Sequence, residues 1–194
     1  MTYLIHRYPA ELIDIVHSPG GTRILVRPVL PQDAELIQAF FQGLSPQSRR
    51  NRFFRAVVEL PASLLRSFTS IDYHDHLALL ASVLVDGEEV AIAEARYILS
   101  REGAEFALAI ADHWQGQGIG RLLLERLECR AASEGVNRLH AEVLPANAPM
   151  LRLAMKAGFA LAQKGGDGVL RVEKALTFER GRTESVPYVP TMAA

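Results

Sequence analysis

The sequence predicts an α/β (α+β) fold, a mixed and mostly antiparallel sheet flanked by helices. Three observations predict it. Residues 77–85, 89–99 and 105–111 are largely apolar runs separated by short turns, as in consecutive antiparallel strands. A glycine-rich turn, Gln115 to Gly120, then opens an amphipathic stretch that lasts to about Glu134. A further strand-like run, 138–144, follows it and completes one clear βαβ unit.

In chain order, residues 1–21 are expected as a lead-in. Tyr8-Pro9 is a break, Glu11 to Val16 a short strand or helix, and Pro19-Gly20-Gly21 a turn. Thr22 to Arg27 alternates as a strand does. Pro31-Gln32-Asp33 opens a helix with Asp33 as its N-cap, and Leu36, Ile37, Phe40 and Phe41 carry its apolar spacing. Ser45-Pro46 begins a second helix, with Ser45 as cap and Pro46 at the first helical position. It runs through Arg55, and its arginines 49, 50, 52 and 55 read as a solvated face. Residues 61–68 form another helical piece. Asp86-Gly87 is a hairpin turn between strands 77–85 and 89–99. After the glycine loop, Ile119, Leu123, Leu127 and Ala131 make the buried stripe of a helix that stops at Gly135. Asn147 to Lys156 is a helix ending at Gly158. Residues 159–163 and 169–178 suggest a closing hairpin. The domain is expected over 22–178, with 179–194 as a tail.

Bulk properties narrow the function. The 194 residues suit one domain, 49% hydrophobic and 22% charged. A net charge of −1 argues against a nucleic-acid footprint or a polybasic membrane patch. The longest apolar run is too short to span a bilayer, and the first residues lack the apolar core of a signal peptide, so a cytoplasmic protein is expected. Cys129 is the single cysteine, which excludes an internal disulfide. Asp72-Tyr73-His74-Asp75-His76 fits no metal-ligand spacing, and no metal is expected.

A strand that delivers a glycine-rich run to a helix start is a place to hold a phosphate. Gln115-Gly116-Gln117-Gly118-Ile119-Gly120 lacks the Gly-Lys-Ser/Thr of a P-loop. No frame gives G-x-G-x-x-G, because Arg121 and Leu123 occupy the third-glycine positions. Glycines at 116, 118 and 120 would let backbone N–H groups approach an anion closely, with the helix dipole behind them.

The hexapeptide resembles the Q/R-x-x-G-x-G/A acyl-CoA loop of the GNAT superfamily of N-acetyltransferases, with Gln115, Gly118 and Gly120 at its specified positions. Asn147, followed by Ala157-Gly158-Phe159, resembles that family's asparagine and Gly-Phe segment. The resemblance covers about residues 22–178. YPAELIDIV, LSPQSRRNRFF, FTSIDYHDHLALLA, AEFALAIADHWQGQGIG and VLPANAPMLRLAMKAGF look in particular like the acetyltransferase domain of bacterial Pat-type protein lysine acetyltransferases.

That resemblance implies a sheet splayed at its fourth strand, where Leu108, Ala109 and Ile110 pair with pantetheine. It implies acetyl-CoA as acyl donor, held by Gln115, Gly116, Gln117, Gly118, Ile119, Gly120 and Arg121, with Asn147 beyond. The implied acceptor is a protein lysine. A small amine, or binding of acyl-CoA without catalysis, stays open, as does a monomer or a homodimer.

Acyl transfer needs a neutral amine. With a lysine pKa of about 10.4, the neutral form at pH 7 lies roughly 4.6 kcal/mol uphill, so a carboxylate base is expected. Glu105, ten residues before Gln115, resembles the strand-four glutamate that serves as base in related protein acetyltransferases. Glu142, five residues before Asn147, is the rival. Many family members carry a tyrosine acid seven residues after the asparagine. Here that position is Ala154, which leaves the acid unassigned, and water can reprotonate a thiolate of pKa near 8.5.

Overall fold

The computed structural model describes residues 8–162 and 168–177. It is built on one eight-stranded sheet, β1 (Asp14–His17), β2 (Arg23–Pro28), β3 (His76–Val85), β4 (Glu88–Ser100), β5 (Gly103–Ile110), β6 (Arg138–Val143), β7 (Ala160–Leu161) and β8 (Leu170–Ala175). The spatial order is β1-β2-β3-β4-β5-β6-β8-β7. Every neighbouring pair is antiparallel except β5 and β6. That parallel pair is the predicted βαβ unit.

Part of the expected lead-in is sheet. Asp14 to His17 pairs with Arg23 to Val26, a hairpin closed through the Pro19-Gly20-Gly21 turn. The same segment straps onto the far helix, where Asp14 meets Arg126 and Glu11 meets Arg130. Because β1 adds a strand, the predicted fourth strand is fifth in chain order.

Helices α1 (Ala34–Gly43), α2 (Pro46–Phe53) and α3 (Ala62–Thr69) cover one face, and α4 (Ile119–Ser133) and α5 (Ala148–Lys156) the other. The expected α4 stripe is real: Ile119, Leu123, Leu127 and Ala131 are all buried. Each fully buried leucine there contributes about 1.5–3 kcal/mol by removal from water. On the opposite face Phe40, Phe41 and Phe68 pack on Ala78, Leu80 and Ala109. Asp86 and Gly87 both take positive φ, as the two-residue hairpin turn requires.

Several expectations shift. Pro31 to Asp33 is a separate 3₁₀ turn before α1, and the Asp33 side chain does not cap that helix. It is drawn off by Arg27, which donates to both its oxygens at 2.7 and 2.9 Å, and by the Leu30 N–H. A bidentate charged pair outcompetes a neutral cap contact. Ser45 does cap α2, accepting from the Ser48 N–H, but α2 stops at Phe53, because Phe54 turns left-handed at φ 59°. Arg52 departs from the solvated arginine face, as described below. The turn between the two strands of the expected closing hairpin, residues 164–168, lies almost wholly outside the described residues, as does the tail. No described helix is long and apolar enough to cross a membrane.

Candidate active site

Strands β5 and β6 pair only near their starts, Ala104 with Leu139 and Glu105 with His140. Past Glu105 they part. The backbone polar groups of residues 106–110 that would have bonded β6 face an opening instead, and such groups need partners. The opening is a cleft of about 470 Å³. Leu108, Ala109 and Ile110 form one wall, and Met150 and Leu153 of α5, with Ala157 just past its end, the other. Gln115, Gly116, Gly118, Gly120 and Arg121 close one end.

The glycine loop has the backbone its sequence demands. Gly116 and Gly118 take φ of +75° and +87°, and Gly118 is the residue from which α4 starts. Gly120 is needed for a different reason. A Cβ there would sit 3.0 Å from Ile110 Cδ1 and 3.2 Å from Leu153 Cδ2, between the two walls of the cleft. The first turn of α4 can therefore lie against β5 and present its free N–H groups to the cleft.

Most of the candidate donor-binding residues converge here. Leu108, Ala109, Ile110, Gln115, Gly116, Gly118, Gly120, Arg121 and Asn147 all line the cleft. Gln117 and Ile119 do not. Gln117 Nε2 donates to the His113 carbonyl at 3.0 Å, and Ile119 is buried in the core. Asn147 also caps α5, its side-chain oxygen accepting from the Met150 N–H. Trp114 packs its partly buried ring against the core beside the loop.

Four polar lining residues were not singled out in the sequence. Arg152 and Lys156 stand one turn apart on α5 and, with Arg121, bring cations to the cleft. Extending the α5 periodicity would have found them. Ser48 and Asn51 come from α2, which only the tertiary fold brings to this edge. The link is Asp112. Its carboxylate accepts from the Ser45 N–H, the Ser45 hydroxyl and the Ser48 hydroxyl at 2.7–2.9 Å, while Gln115 Nε2 donates to Ser48 Oγ at 3.3 Å. Partial burial works against the ionised form of Asp112, but these donors outweigh it and hold the carboxyl below its ordinary range.

The two candidate bases sit apart from the cleft lining. Glu105 is exposed at the vertex where β5 and β6 separate. Glu142 is exposed on β6 and paired in register with Arg171 of β8. Alternation puts Arg138, His140 and Glu142 on one face of β6, while Leu139, Ala141 and Val143 point into the core. Ala154 is fully buried under Phe159 and does not line the cleft. Among the described residues no group of His, Cys, Asp and Glu could hold a metal.

Beneath α2 lies a buried ionic cluster. Glu94, wholly inaccessible on β4, accepts from Arg96 Nε at 2.5 Å and faces Arg52 Nη2 at 3.6 Å. The Arg52 guanidinium sits over the rings of Phe41, Phe53 and Phe68. Arg96 also bonds His76 Nε2 at 3.1 Å, and its guanidinium lies 3.6 Å from the Phe68 ring.

A sheet parted over a glycine loop and a helix N-terminus, with cations at the rim, defines an enzyme that grips a phosphate-bearing donor along a strand edge. The chain belongs to the acetyltransferase (GNAT) family, whose model matches residues 40–159. It is 33% identical over 141 residues to the acetyltransferase PA5475 of Pseudomonas aeruginosa, covering 72% of this chain and 76% of that one. It is also 33% identical to the acetyltransferase Pat of Mycolicibacterium smegmatis over 89% of this chain, and spans 50% of that longer protein. The GNAT domain of S. lividans PAT superposes with a TM-score of 0.80 at 34% identity, covering 88% of this chain and all of that domain.

Proposed function

We propose that this enzyme transfers an acetyl group from acetyl-CoA to the side-chain amine of a protein lysine. The observation that carries the acceptor is the exposure of Glu105 at the strand vertex, on the part of the sheet face that α1, α2 and α3 leave uncovered. Exposed Arg138 and Glu142 stand on the same face, so the site opens onto surface rather than into a closed pocket. A lysine presented by a large partner can reach such a site. The likeness to Pat and to the PAT domain supports the same reading.

The donor fits the cleft by chemistry. Loop N–H groups at Gly116 to Arg121 and the α4 dipole suit a pyrophosphate, and Arg121, Arg152 and Lys156 suit its charge. The open edge of residues 106–110, where Gln115 takes up only the Ile110 carbonyl, suits the amide groups of pantetheine, as one further strand would. The apolar walls accommodate its methylenes.

In the proposed reaction Glu105 removes a proton from the ammonium. The nitrogen lone pair attacks the thioester carbonyl, and an N–H on the open edge of β5 stabilises the oxyanion. The C–S bond breaks, and the thiolate takes a proton from water, since Ala154 offers none.

The test is incubation with acetyl-CoA and a cell lysate, read by mass spectrometry for acetyl-lysine, beside a thiol-release assay over small amines. Acetyl-lysine on discrete proteins supports the reading. Thiol release with small amines alone moves the acceptor to that class, and binding without release from any acceptor leaves an acyl-CoA sensor.

A further inference from the structure

His140 is one of few buried polar side chains outside the cleft, and nothing in the proposed function uses it. It is 5% exposed, on a strand whose neighbouring polar residues reach solvent. Its Nδ1 is buried and has no hydrogen-bond partner among the described residues. Leaving a buried nitrogen unpaired is costly, so a fold keeps one where it has a use.

Its position is specific. His140 is paired in register with Glu105, in the last contact before β5 and β6 part. Register partners on adjacent strands share a face, with Cβ atoms about 5 Å apart. On its other side His140 is in register with Glu173 of β8. Charged groups around it come from every neighbouring element: Glu105 on β5, Glu102 in the preceding turn, Arg138 and Glu142 on β6, Arg171 and Glu173 on β8. The two arginines are engaged, Arg171 with Glu102 at 2.8 Å and Arg138 with Glu173 at 3.8 Å.

Resting on Glu105 as the base, we propose that His140 is its proton outlet, a neutral imidazole that receives, through a water between the two side chains, the proton Glu105 takes from the lysine ammonium and passes it to solvent. Burial, aided by Arg171, holds His140 below its ordinary range despite the surrounding carboxylates, so the ring is neutral at pH 7 with a lone pair to offer. The step balances. The lysine ammonium loses two protons in becoming an amide. The first travels from nitrogen to the Glu105 carboxylate, then to His140, then to solvent, restoring Glu105 as carboxylate. The second is shed to water as the tetrahedral intermediate collapses, and water returns one proton to the departing thiolate. When His140 itself is charged, it can accept nothing, and its field makes Glu105 a weaker base.

The test compares His140→Gln, His140→Ala and Glu105→Gln in the intact chain, with acetyl-CoA and an acceptor the wild type acetylates. His140→Gln is expected to lower kcat roughly tenfold with the KM for acetyl-CoA unchanged. The fall of kcat/KM below pH 6.5 is expected to involve one proton fewer than in the wild type. Imidazole in the buffer is expected to restore much of the rate of His140→Ala, which a packing role would not allow. If Glu105→Gln is inactive but the histidine variants keep the wild-type pH profile and ignore imidazole, the outlet is overturned and the base stands. If Glu105→Gln turns over normally, the base is overturned, and the role of His140 through it falls too.

Discussion

Gln115 Nε2 donates to Ser48 Oγ at 3.3 Å and to the Ile110 carbonyl at 3.1 Å. The side chain that opens the glycine loop thus faces α2 and the end of β5. Its place in the loop is structural as well as sequential. It ties the helix over one side of the sheet to the loop that starts α4 on the other, and Asp112 supplies the charge that holds the knot.

Removing that charge should loosen both. Asp112→Ala leaves the Ser45 N–H and two hydroxyls without their acceptor, at a cost of about 0.5–2 kcal/mol, the range for a lost cap. Acetyl-CoA affinity is expected to weaken several-fold, because Ser48, Asn51 and Gln115 all line the cleft. Calorimetry with acetyl-CoA measures it. Unchanged affinity would show that the loop holds its shape without α2.

Gly120 separates packing from backbone freedom. Gly120→Val would drive side-chain carbon into Ile110 and Leu153 from opposite walls. Acetyl-CoA binding should fall below detection while the protein stays folded, since the clash lies at the cleft rather than in the deep core. Gly118→Ala is milder. It adds no clash, but its φ of +87° strains any other residue by about 1–2 kcal/mol. Circular dichroism and calorimetry on both variants distinguish the two effects.

Glu105→Gln is expected to lower kcat by about a hundredfold or more, the usual range for a lost general base. Acetyl-CoA affinity should hold, because Glu105 lies at the vertex and not among the cleft residues. The same change at Glu142 should leave kcat near normal. A reversed result would make Glu142 the base.

How much of this was legible in sequence depends on the range of the interaction. The glycine loop, the α4 stripe and the Asp86-Gly87 hairpin were legible, since each is fixed by residues within a turn or two. Cleft residues on either side of the loop followed from the same local logic. Asp33 failed as a cap because Arg27, six residues away, competes for it. Arg52 failed as a solvated residue because its partner Glu94 lies 42 positions on, brought near only when α2 packs on the sheet. Ser48 and Asn51 were out of reach for the same reason, and Glu11 to Val16 was too short a segment to tell the strand β1 from a helix.

Glu94→Ala tests the buried cluster from within. It would leave two guanidiniums, Arg52 and Arg96, in a low-dielectric site with no counter-charge. Breaking such a pair from one side costs about 3–5 kcal/mol. Urea unfolding should show a loss of that size, and Glu94→Gln a smaller one, because its amide oxygen still accepts from Arg96.

The same cluster makes stability depend on pH through His76. Burial, and then the Arg96 guanidinium beside it, push the His76 pKa from 6.5 down to about 4. Its Nε2 accepts from Arg96, a bond that only the neutral ring can make. Between these two values the unfolded chain binds a proton that the folded chain refuses. The folded state is therefore favoured above pH 6.5 and loses that advantage as pH falls toward 4, below which the contribution is flat. Carboxylates with lowered values, Asp72 and Asp112 among them, lose theirs only at still lower pH. Thermal unfolding followed by circular dichroism between pH 7 and 4.5 should show a falling midpoint in the wild type and a shallower fall in His76→Gln. That variant keeps an acceptor for Arg96 but has nothing to titrate, so a fall as steep as the wild type's would assign the loss to other groups.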